Sequence, residues 1–280
     1  MITPPSYRPL ALAVLMPLLF TGCSSKSIPA GAAVPMTAHM TGKIHGGEQP
    51  VVGAMIQLYD ATTGGTPLIS SPPLSDANGN FTITGLWSGC SPSDQLYLVA
   101  YGGNPGSGLN SDLILMSAVG ACQDLTPSSF VSINEVTTVA TIVAFLGDFS
   151  ASNATTGTTG AYIAAGSAGE YTSFLGLVDP VAGVALSSNG DQSMLNALAN
   201  SITACVNATS DINGDNSVCD NIITASNLSP VAGAPQQDSA VAIYSVITNP
   251  TAGVGYVFGL APSNPSFLPT FSSAPASRIF

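Results

Sequence analysis

The amino-acid sequence predicts an α+β fold in which an N-terminal antiparallel β-sandwich is followed by a mostly α-helical domain. Two observations support this prediction. Residues 40–125 contain short stretches of alternating apolar and polar residues, with turn-forming residues about every ten positions, as is typical of small sandwiches. Residues 130–261 instead carry apolar residues at helical spacing. The 280 residues allow one or two domains, and a hydrophobic content of 45% excludes a disordered chain.

The low content of charged residues argues against a nucleic-acid-binding function. Only 7% of the residues are charged, and the formal net charge is −11. Because nucleic-acid binders concentrate Lys and Arg, and this chain has 4 such residues in all, we expect no nucleic-acid partner. The surface must take its polarity from Ser, Thr, Asn and Gln, which suits an exported surface that is soluble, glycosylated or used for association.

Residues 1–22 have the pattern of a signal peptide. Arg8 supplies the basic region, and residues 10–20 form an apolar stretch that is too short to span a membrane as a stable helix. The stretch leads to Phe20-Thr21-Gly22-Cys23, which resembles the bacterial lipoprotein signal, although Phe20 stands where Leu is usual. The resemblance implies lipidation of Cys23 after cleavage. The alternative is an ordinary secretory signal in which Cys23 is incidental.

Lipidation would fasten the chain to a membrane, because two or more acyl chains hold a protein on a bilayer where one binds only marginally. Ser24 and Ser25 follow Cys23 without an Asp, and by resemblance to enterobacterial sorting this favours the outer membrane. Residues 23–39 are small and contain Pro and Gly, as in a flexible tether. A membrane is therefore the predicted partner of this end of the chain.

Four strands are predicted before residue 125. They cover residues 41–45, 51–59, 81–86 and 95–101, and turns at residues 46–50, 62–66 and 74–80 lie between them. In the last of these turns Gly79 can take a positive φ. The oxygen-rich stretch around Asp76 is expected to hydrogen-bond its own backbone rather than to bind a metal.

The clearest helix is predicted over residues 132–149. Ser132 and Glu135 stand three apart, which is the spacing of a capping box, and Glu135 would also lie in the first turn, where the helix dipole favours an acid. Nearly every side chain in residues 139–146 is apolar. We therefore expect this helix to be buried on most of its surface, at the centre of the helical domain.

Further helices are predicted around it. They cover residues 168–178, 191–206, 240–247 and 254–260, with another helix start at residues 217–220. The second of them places five apolar residues on one face, namely Met194, Leu195, Leu198, Ile202 and Cys205. Residues 262–280 are rich in Pro and Ser, which predicts a loose C-terminal tail.

Four short stretches of the β half carry a resemblance to a known family. They are residues 42–44, 53–58, 75–83 and 96–100, and the turn Asp76-Ala-Asn-Gly-Asn-Phe81 is the most specific part. In this order they resemble the carboxypeptidase regulatory-like domain, a prealbumin-like β-sandwich. The resemblance implies a structural spacer or binding accessory rather than a catalyst.

A second resemblance covers most of residues 40–261. Residues 102–106, 114–116, 119–122, 133–140 and 200–207, together with Cys219, look like uncharacterised secreted proteins of acidobacterial type. That resemblance implies a β-module followed by an α-helical region with a Cys pair, and an exported location. It implies no activity.

Four cysteines remain once Cys23 is set aside, and an even number in an exported chain predicts disulfides. Three connectivities are open to four cysteines. We predict the sequence-local pairs Cys90–Cys122 and Cys205–Cys219, because each bridge then lies within one domain. Zinc is the alternative, but the cysteines have no C-x-x-C spacing.

Residues 211–216 resemble the start of a calcium-binding loop. Asp211, Asn213 and Asp215 place oxygen-bearing side chains at positions 1, 3 and 5. The loop lacks the Gly at position 6 and the acid at position 12, and Asp220 could stand in from position 10. The alternative is a polar loop closed by the second disulfide.

Three aromatic residues of the β half could bind a sugar ring by stacking. Tyr97 and Tyr101 have the same parity along one strand and should face the same side, and Trp87 follows a strand between two glycines. The alternative is that such rings fill the core or cover its rim. Of the three, we expect Trp87 to be partly exposed.

These features predict a non-catalytic cell-envelope lipoprotein that acts as a structural, adhesive or ligand-binding module, with a carbohydrate or an envelope protein as ligand. Calcium is the one cofactor that the sequence suggests. The second hypothesis is a secreted hydrolase of polysaccharides, whose two carboxylates need not be close along the chain. Nucleophilic catalysis needs a base beside Ser or Cys. The two histidines, His39 and His45, lie in the tether and in the first strand, remote from the cysteine pairs.

Overall fold

The computed structural model describes residues 36–37, 40–84, 86–87, 89–150, 162–163, 165–188, 190–210, 217–226 and 238–276. Its strands are β1 (Met36–Thr37), β2 (Met40–Gly46), β3 (Gln49–Pro50), β4 (Met55–Asp60), β5 (Thr66–Pro67), β6 (Asn80–Ile83), β7 (Leu86–Trp87), β8 (Gln95–Tyr101), β9 (Ile114–Ala121), β10 (Ser129–Ile133), β11 (Val178–Asp179) and β12 (Val184–Ala185). Its helices are α1 (Glu135–Ala144), α2 (Ala168–Leu177), α3 (Gln192–Val206), α4 (Ser217–Ala225), α5 (Ser239–Thr248) and α6 (Val254–Gly259). The protein is thus of mixed α+β class, with antiparallel sheets towards the N-terminus and helices towards the C-terminus.

Two four-stranded sheets form the β half. The first has the order β5-β4-β8-β9, and all its neighbours are antiparallel. In the second, β2 lies at the centre and pairs antiparallel with β3 and β6. On its other side β2 pairs in parallel with β10, from Met40 opposite Ser129 to Ile44 opposite Ile133. Two short antiparallel pairs, β1–β7 and β11–β12, complete the strands of the described residues.

The predicted strands are found in β2, β4, β6 and β8, with β8 at the predicted bounds. Strand β4 begins at Met55 rather than at residue 51, because Val52 instead makes an isolated bridge with Asn104. Gly79 has a φ of 75°, as its turn requires, and the Asp76 carboxylate accepts from the backbone N–H groups of Asn78 and Asn80. The predicted turn is therefore confirmed there.

Helix α1 starts later than the sequence predicts, and the predicted cap is wrong. Ser132 lies in β10, because pairing with β2 keeps that residue extended. The N-cap is Asn134, whose side chain accepts from the Thr137 N–H, while the Thr137 hydroxyl accepts from the Asn134 N–H. A capping box is therefore present, two residues after the predicted one. The expected burial is confirmed, since every residue from Glu135 to Ile142 is buried.

The other predicted helices are found as α2, α3, α4, α5 and α6. Helix α3 has Asp191 at its N-cap position, where the side chain makes no cap hydrogen bond. The predicted face is buried at Leu195, Leu198, Ile202 and Cys205, whereas Met194 is half-buried. Residues 262–276 follow α6 without regular structure. Two α3 side chains hold them, since Asn200 Nδ2 donates to the carbonyl of Phe267 and Asn196 Nδ2 donates to that of Pro269. This part of the predicted loose tail lies against the fold.

The edge of strand β9 is covered by hydroxyl groups from two helices. The Met116 N–H donates to the Thr138 hydroxyl at 2.9 Å, and the Ala118 N–H donates to the Thr141 hydroxyl at 3.1 Å. Both residues belong to α1. From α5, the Ser239 hydroxyl accepts from the Ile114 N–H at 2.8 Å. These hydroxyls satisfy backbone groups that a further strand would otherwise pair.

One hydrophobic core runs through both halves of the chain. It contains β-strand residues such as Ile83 and Leu98, helix α1 residues such as Val136 and Ile142, and Ile243 of α5. The described residues accordingly belong to one compact unit. The segments 40–125 and 130–261 are joined by this core and by the pairing of β2 with β10.

Candidate functional site

Both predicted disulfides are present. Cys90 is joined to Cys122, and Cys205 is joined to Cys219. The second bridge ties the last turn of α3 to the first turn of α4, and both of its cysteines are fully buried. Cys23 lies outside the described residues, so its lipidation stays a prediction.

Removing the second disulfide is expected to destabilise the protein. The bridge spans 14 residues, and cross-linking a loop of this length stabilises a fold by about 3 kcal/mol through the entropy of the unfolded chain. Urea unfolding of a Cys205→Ala/Cys219→Ala variant should show this loss. The control is the same comparison in a strong thiol reductant, where the difference should shrink. An unchanged midpoint of the oxidised variant would contradict the prediction.

Most of the candidate calcium loop lies outside the described residues. This applies to Asp211, Asn213 and Asp215, whereas Asp220 lies in the first turn of α4. Within the part of the chain that the structure describes, there is no group of three or more His, Cys, Asp or Glu side chains that could hold a metal ion. Calcium binding therefore stays a prediction.

The predicted sugar-stacking residues Tyr97 and Tyr101 belong to a packed cluster. Tyr97 is fully buried, its ring stacks on Tyr59 with centroids 5.3 Å apart, and its hydroxyl accepts from the N–H groups of Tyr162 and Ile163 at 3.1 and 3.2 Å. The Tyr101 hydroxyl lies 2.9 Å from that of Tyr59. Burial raises the pKa of both Tyr97 and Tyr101 well above the usual value. A ring as enclosed as that of Tyr97 fills the core, which was the alternative for these aromatics.

Trp87, the third predicted aromatic, lies in β7. Its backbone is paired with Met36 of β1, so the segment just before the sheet region is joined to this short strand. The pairing brings the end of the predicted tether to the residue that we expected to be exposed.

A buried tyrosine–aspartate pair extends the aromatic cluster towards α5. The Tyr162 hydroxyl donates to Asp238 Oδ2 at 2.8 Å, and Asp238 Oδ1 accepts from the Val241 N–H at 2.9 Å, so Asp238 also caps α5. Phe149 stacks on Tyr162 with centroids 5.6 Å apart. Burial raises the pKa of Asp238 to about 7, with a smaller contribution from the nearby charge of Asp112.

Asp112 belongs to a loop that docks on two helices. Its carbonyl accepts from the Ser239 N–H of α5 at 3.1 Å. Its own N–H donates to Asn110 Oδ1, and Asn110 Nδ2 donates to the carbonyls of Cys205 and Val206 at the end of α3. Sequence reasoning missed Asp112, Asp238 and this loop. The Asp238-Ser239 pair before an apolar run is an N-cap signal that could have located the start of α5.

Glu135 is another fully buried acid whose pKa is strongly raised. It lies in the first turn of α1 and its Oε1 accepts from the Gly47 N–H at 2.8 Å. Burial raises the pKa of Glu135 to about 7, against smaller lowering effects of the Glu135 and Gly47 N–H groups and the Thr203 hydroxyl. Sequence reasoning assigned Glu135 to a helix start, and it lies there, but nothing in the sequence indicated its contact with a glycine 88 positions away.

Two pairs of interacting acids in the described residues take part in a turn and in a helix cap. Asp60 is fully buried, interacts with Asp94, and accepts from the Thr62 N–H in its turn. Glu170 interacts with Asp148 and completes the capping box of α2 through Ser167. Glycoside hydrolysis would instead require two accessible carboxyl groups about 5–10 Å apart beside a sugar-binding cleft.

A small apolar pocket lies between α3 and α6. Leu198, Val257 and Phe258 contribute to its lining, and none of its lining residues is ionisable. The pocket offers hydrophobic contact, and the hydroxyl of Ser201 in its lining donates to the Ala197 carbonyl within α3 at 2.8 Å. No ionisable group in the lining could act as a base for this hydroxyl.

Several described acids, such as Asp76, Glu170 and Asp238, thus lie in turns, caps and buried contacts between elements. In the described residues, no helix has the length and hydrophobicity that crossing a bilayer requires. Comparison with known proteins identifies no family to which the chain can be assigned: no protein-family model matches it, and no curated protein matches it.

Proposed function

We propose that this chain is a non-catalytic lipoprotein of the bacterial cell envelope, anchored through Cys23, most simply to the outer membrane. Its strands would form a prealbumin-like sandwich that acts with the helices as a structural, adhesive or ligand-binding module. The proposal is supported by two formed disulfides, together with the predicted export signal that ends at Cys23 in the same chain. Disulfides persist in oxidising compartments outside the cytosol.

The composition supports a role in binding rather than in catalysis. The chain carries 7% charged residues, and described acids such as Asp76, Glu170 and Asp238 hold a turn or a helix cap. The ligand would be a carbohydrate or another envelope protein, recognised by Ser, Thr, Asn and Gln side chains and exposed rings. A glycan array, and a pull-down from envelope extract with residues 24–280, distinguish these two ligand classes.

Anchoring through Cys23 makes a direct prediction. A Cys23→Ala variant expressed in a bacterial host should leave the membrane fraction and appear in the soluble envelope fraction, because it loses the acylated residue. Mass spectrometry of the wild-type protein should find an acylated N-terminus at position 23. A Ser24→Ala variant is the control and should remain with the membrane. An unmodified N-terminus at another position would overturn the anchor.

A further inference from the structure

The tip of the β2–β3 hairpin is tightly docked against the helices. Gly47, at the tip, has a φ of 62° and donates its N–H to Glu135 of α1. A Cβ added at Gly46 would lie 2.9 Å from Asn207 Oδ1 and 2.9 Å from Val206 Cγ1, at the end of α3. The hairpin therefore packs against α3 with no space for a side chain at Gly46. Gly47 can take the positive φ that the tip requires.

This contact encloses two acceptor oxygens. Glu135 Oε2 and Asn207 Oδ1 are both buried and have no hydrogen-bond partner among the described residues. The hydroxyl of Thr203, which lies beside the hairpin, donates to the carbonyl of Ala199, and its lowering effect on the pKa of Glu135 is smaller than the raising effect of burial. An ionised carboxylate in such surroundings is unfavourable unless a cation or further donors compensate it.

Among the described residues packed around Glu135, none supplies such a cation, since Lys43 of β2 acts on His45 and does not affect the pKa of Glu135. Helix α1 has no other ionisable residue, and α3 has none besides the disulfide-bonded Cys205. On β2, His45 is half-buried, and burial together with Lys43 lowers its pKa, which disfavours its charged form. Glu48 in the hairpin is exposed and is itself an acid, and residues 262–276 contain no ionisable side chain. Burial therefore disfavours the ionised carboxylate more strongly than the N–H of Gly47 favours it.

We propose that Glu135 and the hairpin tip form a proton-operated latch, in which the hairpin is docked while the Glu135 carboxyl is neutral and is released when that carboxyl ionises. Loss of the proton favours entry of water, and water reaches the carboxylate when Gly46 and Gly47 move away. Release would uncover the end of α3 near Val206. The latch makes the exposure of this surface depend on the acidity of the surroundings.

Amide hydrogen exchange of Gly47, followed by NMR and divided by the intrinsic rate at each pH, tests the latch. The corrected opening constant should rise about tenfold for each pH unit between about 5 and 7 and then level off. In a Glu135→Gln variant, whose amide mimics the neutral carboxyl, the opening constant should stay constant over this range. A Glu170→Gln variant alters an acid at the start of α2 and should retain the wild-type rise.

Four results would overturn the latch. The first is a wild-type opening constant that does not change with pH. The second is a Glu135→Gln variant that keeps the wild-type rise. The third is a ¹³C carboxyl shift showing that Glu135 is already ionised at about pH 5. If added sodium or calcium ions restored protection above about pH 7, a cation rather than a proton would hold the contact, and that result would also contradict the proposal.

Discussion

Raising the pH from about 4.5 to about 7.5 is expected to lower the free energy of unfolding by several kcal/mol. Glu135 and Asp238 are fully buried, and burial raises the pKa of each to about 7. In the unfolded chain they would ionise near the ordinary values of 4.5 and 3.8. Between those limits the folded protein binds more protons than the unfolded chain, so stability falls as the pH rises. Each group contributes about 3 kcal/mol over the whole window.

Whether stability rises or falls with pH follows from the direction in which folding shifts the pKa of each group. A raised pKa of an acid gives stability that is complete below the unfolded pKa and is lost as the pH rises through the folded pKa. His45, whose pKa is lowered by burial, works in the opposite direction around its ordinary value of 6.5. Asp76, whose pKa is lowered by hydrogen bonds from Asn80 and Asn78, loses its contribution only in stronger acid.

Urea unfolding at a series of pH values measures this effect. Glu135→Gln and Asp238→Asn should each reduce the slope of stability against pH. The double variant should lose most of the slope between about pH 5 and 7 and keep the smaller contributions of Asp60, Glu170 and His45. An Asp148→Asn variant, at a partly exposed acid beside the end of α1, is the control and should keep most of the slope. Stability that rises with pH in this window would show that the buried carboxyls are ionised in the native protein.

A Thr138→Val/Thr141→Val variant is expected to lose roughly 2–5 kcal/mol of stability. Valine keeps the shape of threonine but removes the hydroxyls that accept from the N–H groups of Met116 and Ala118. Both threonines are fully buried, so water cannot replace the lost partners. A buried donor left without an acceptor costs about 1–3 kcal/mol.

Thermal and urea unfolding of this variant should be compared with a Thr172→Val control. Thr172 lies exposed on α2, and its hydroxyl donates to the Ala168 carbonyl within the same helix. The control should change stability by less than about 0.5 kcal/mol. Equal effects of the two changes would mean that the hydroxyls on β9 contribute no more than ordinary helix-surface hydroxyls.

Much of the fold could be predicted because local patterns carry it. Strand β8 and helix α3 were found near their predicted bounds, since each has a clear period and clear ends. Strand β9 was missed because helix α1 covers it and its residues are almost all buried, which removes the alternation that marks a strand. The start of α1 was misplaced because Ser132 makes a good cap locally, whereas its pairing with β2 depends on residues about 90 positions earlier.

The candidate site residues show the same division. The two disulfide pairs follow from counting and locality, and the structure has them. The burial of Glu135 and Asp238 could not be predicted, because it depends on partners such as Gly47 and Tyr162 that are distant in sequence. The residue type of Tyr97 and its position in the strand alternation are the same whether its ring fills the core or faces a sugar. Only its packing on Tyr59 distinguishes the two.

The parallel pairing of β2 with β10 has a consequence for the order of folding. Strand β2 finds β3 and β6 within the next 40 residues or so, but its other side stays open until residues 129–133 arrive. Closing so long a loop is slow, because chain entropy must be lost before the new contacts form. A nascent chain that ends before Ser129 therefore carries an unfinished sheet. The second side of β2 finds its partner only when the middle of the polypeptide has emerged.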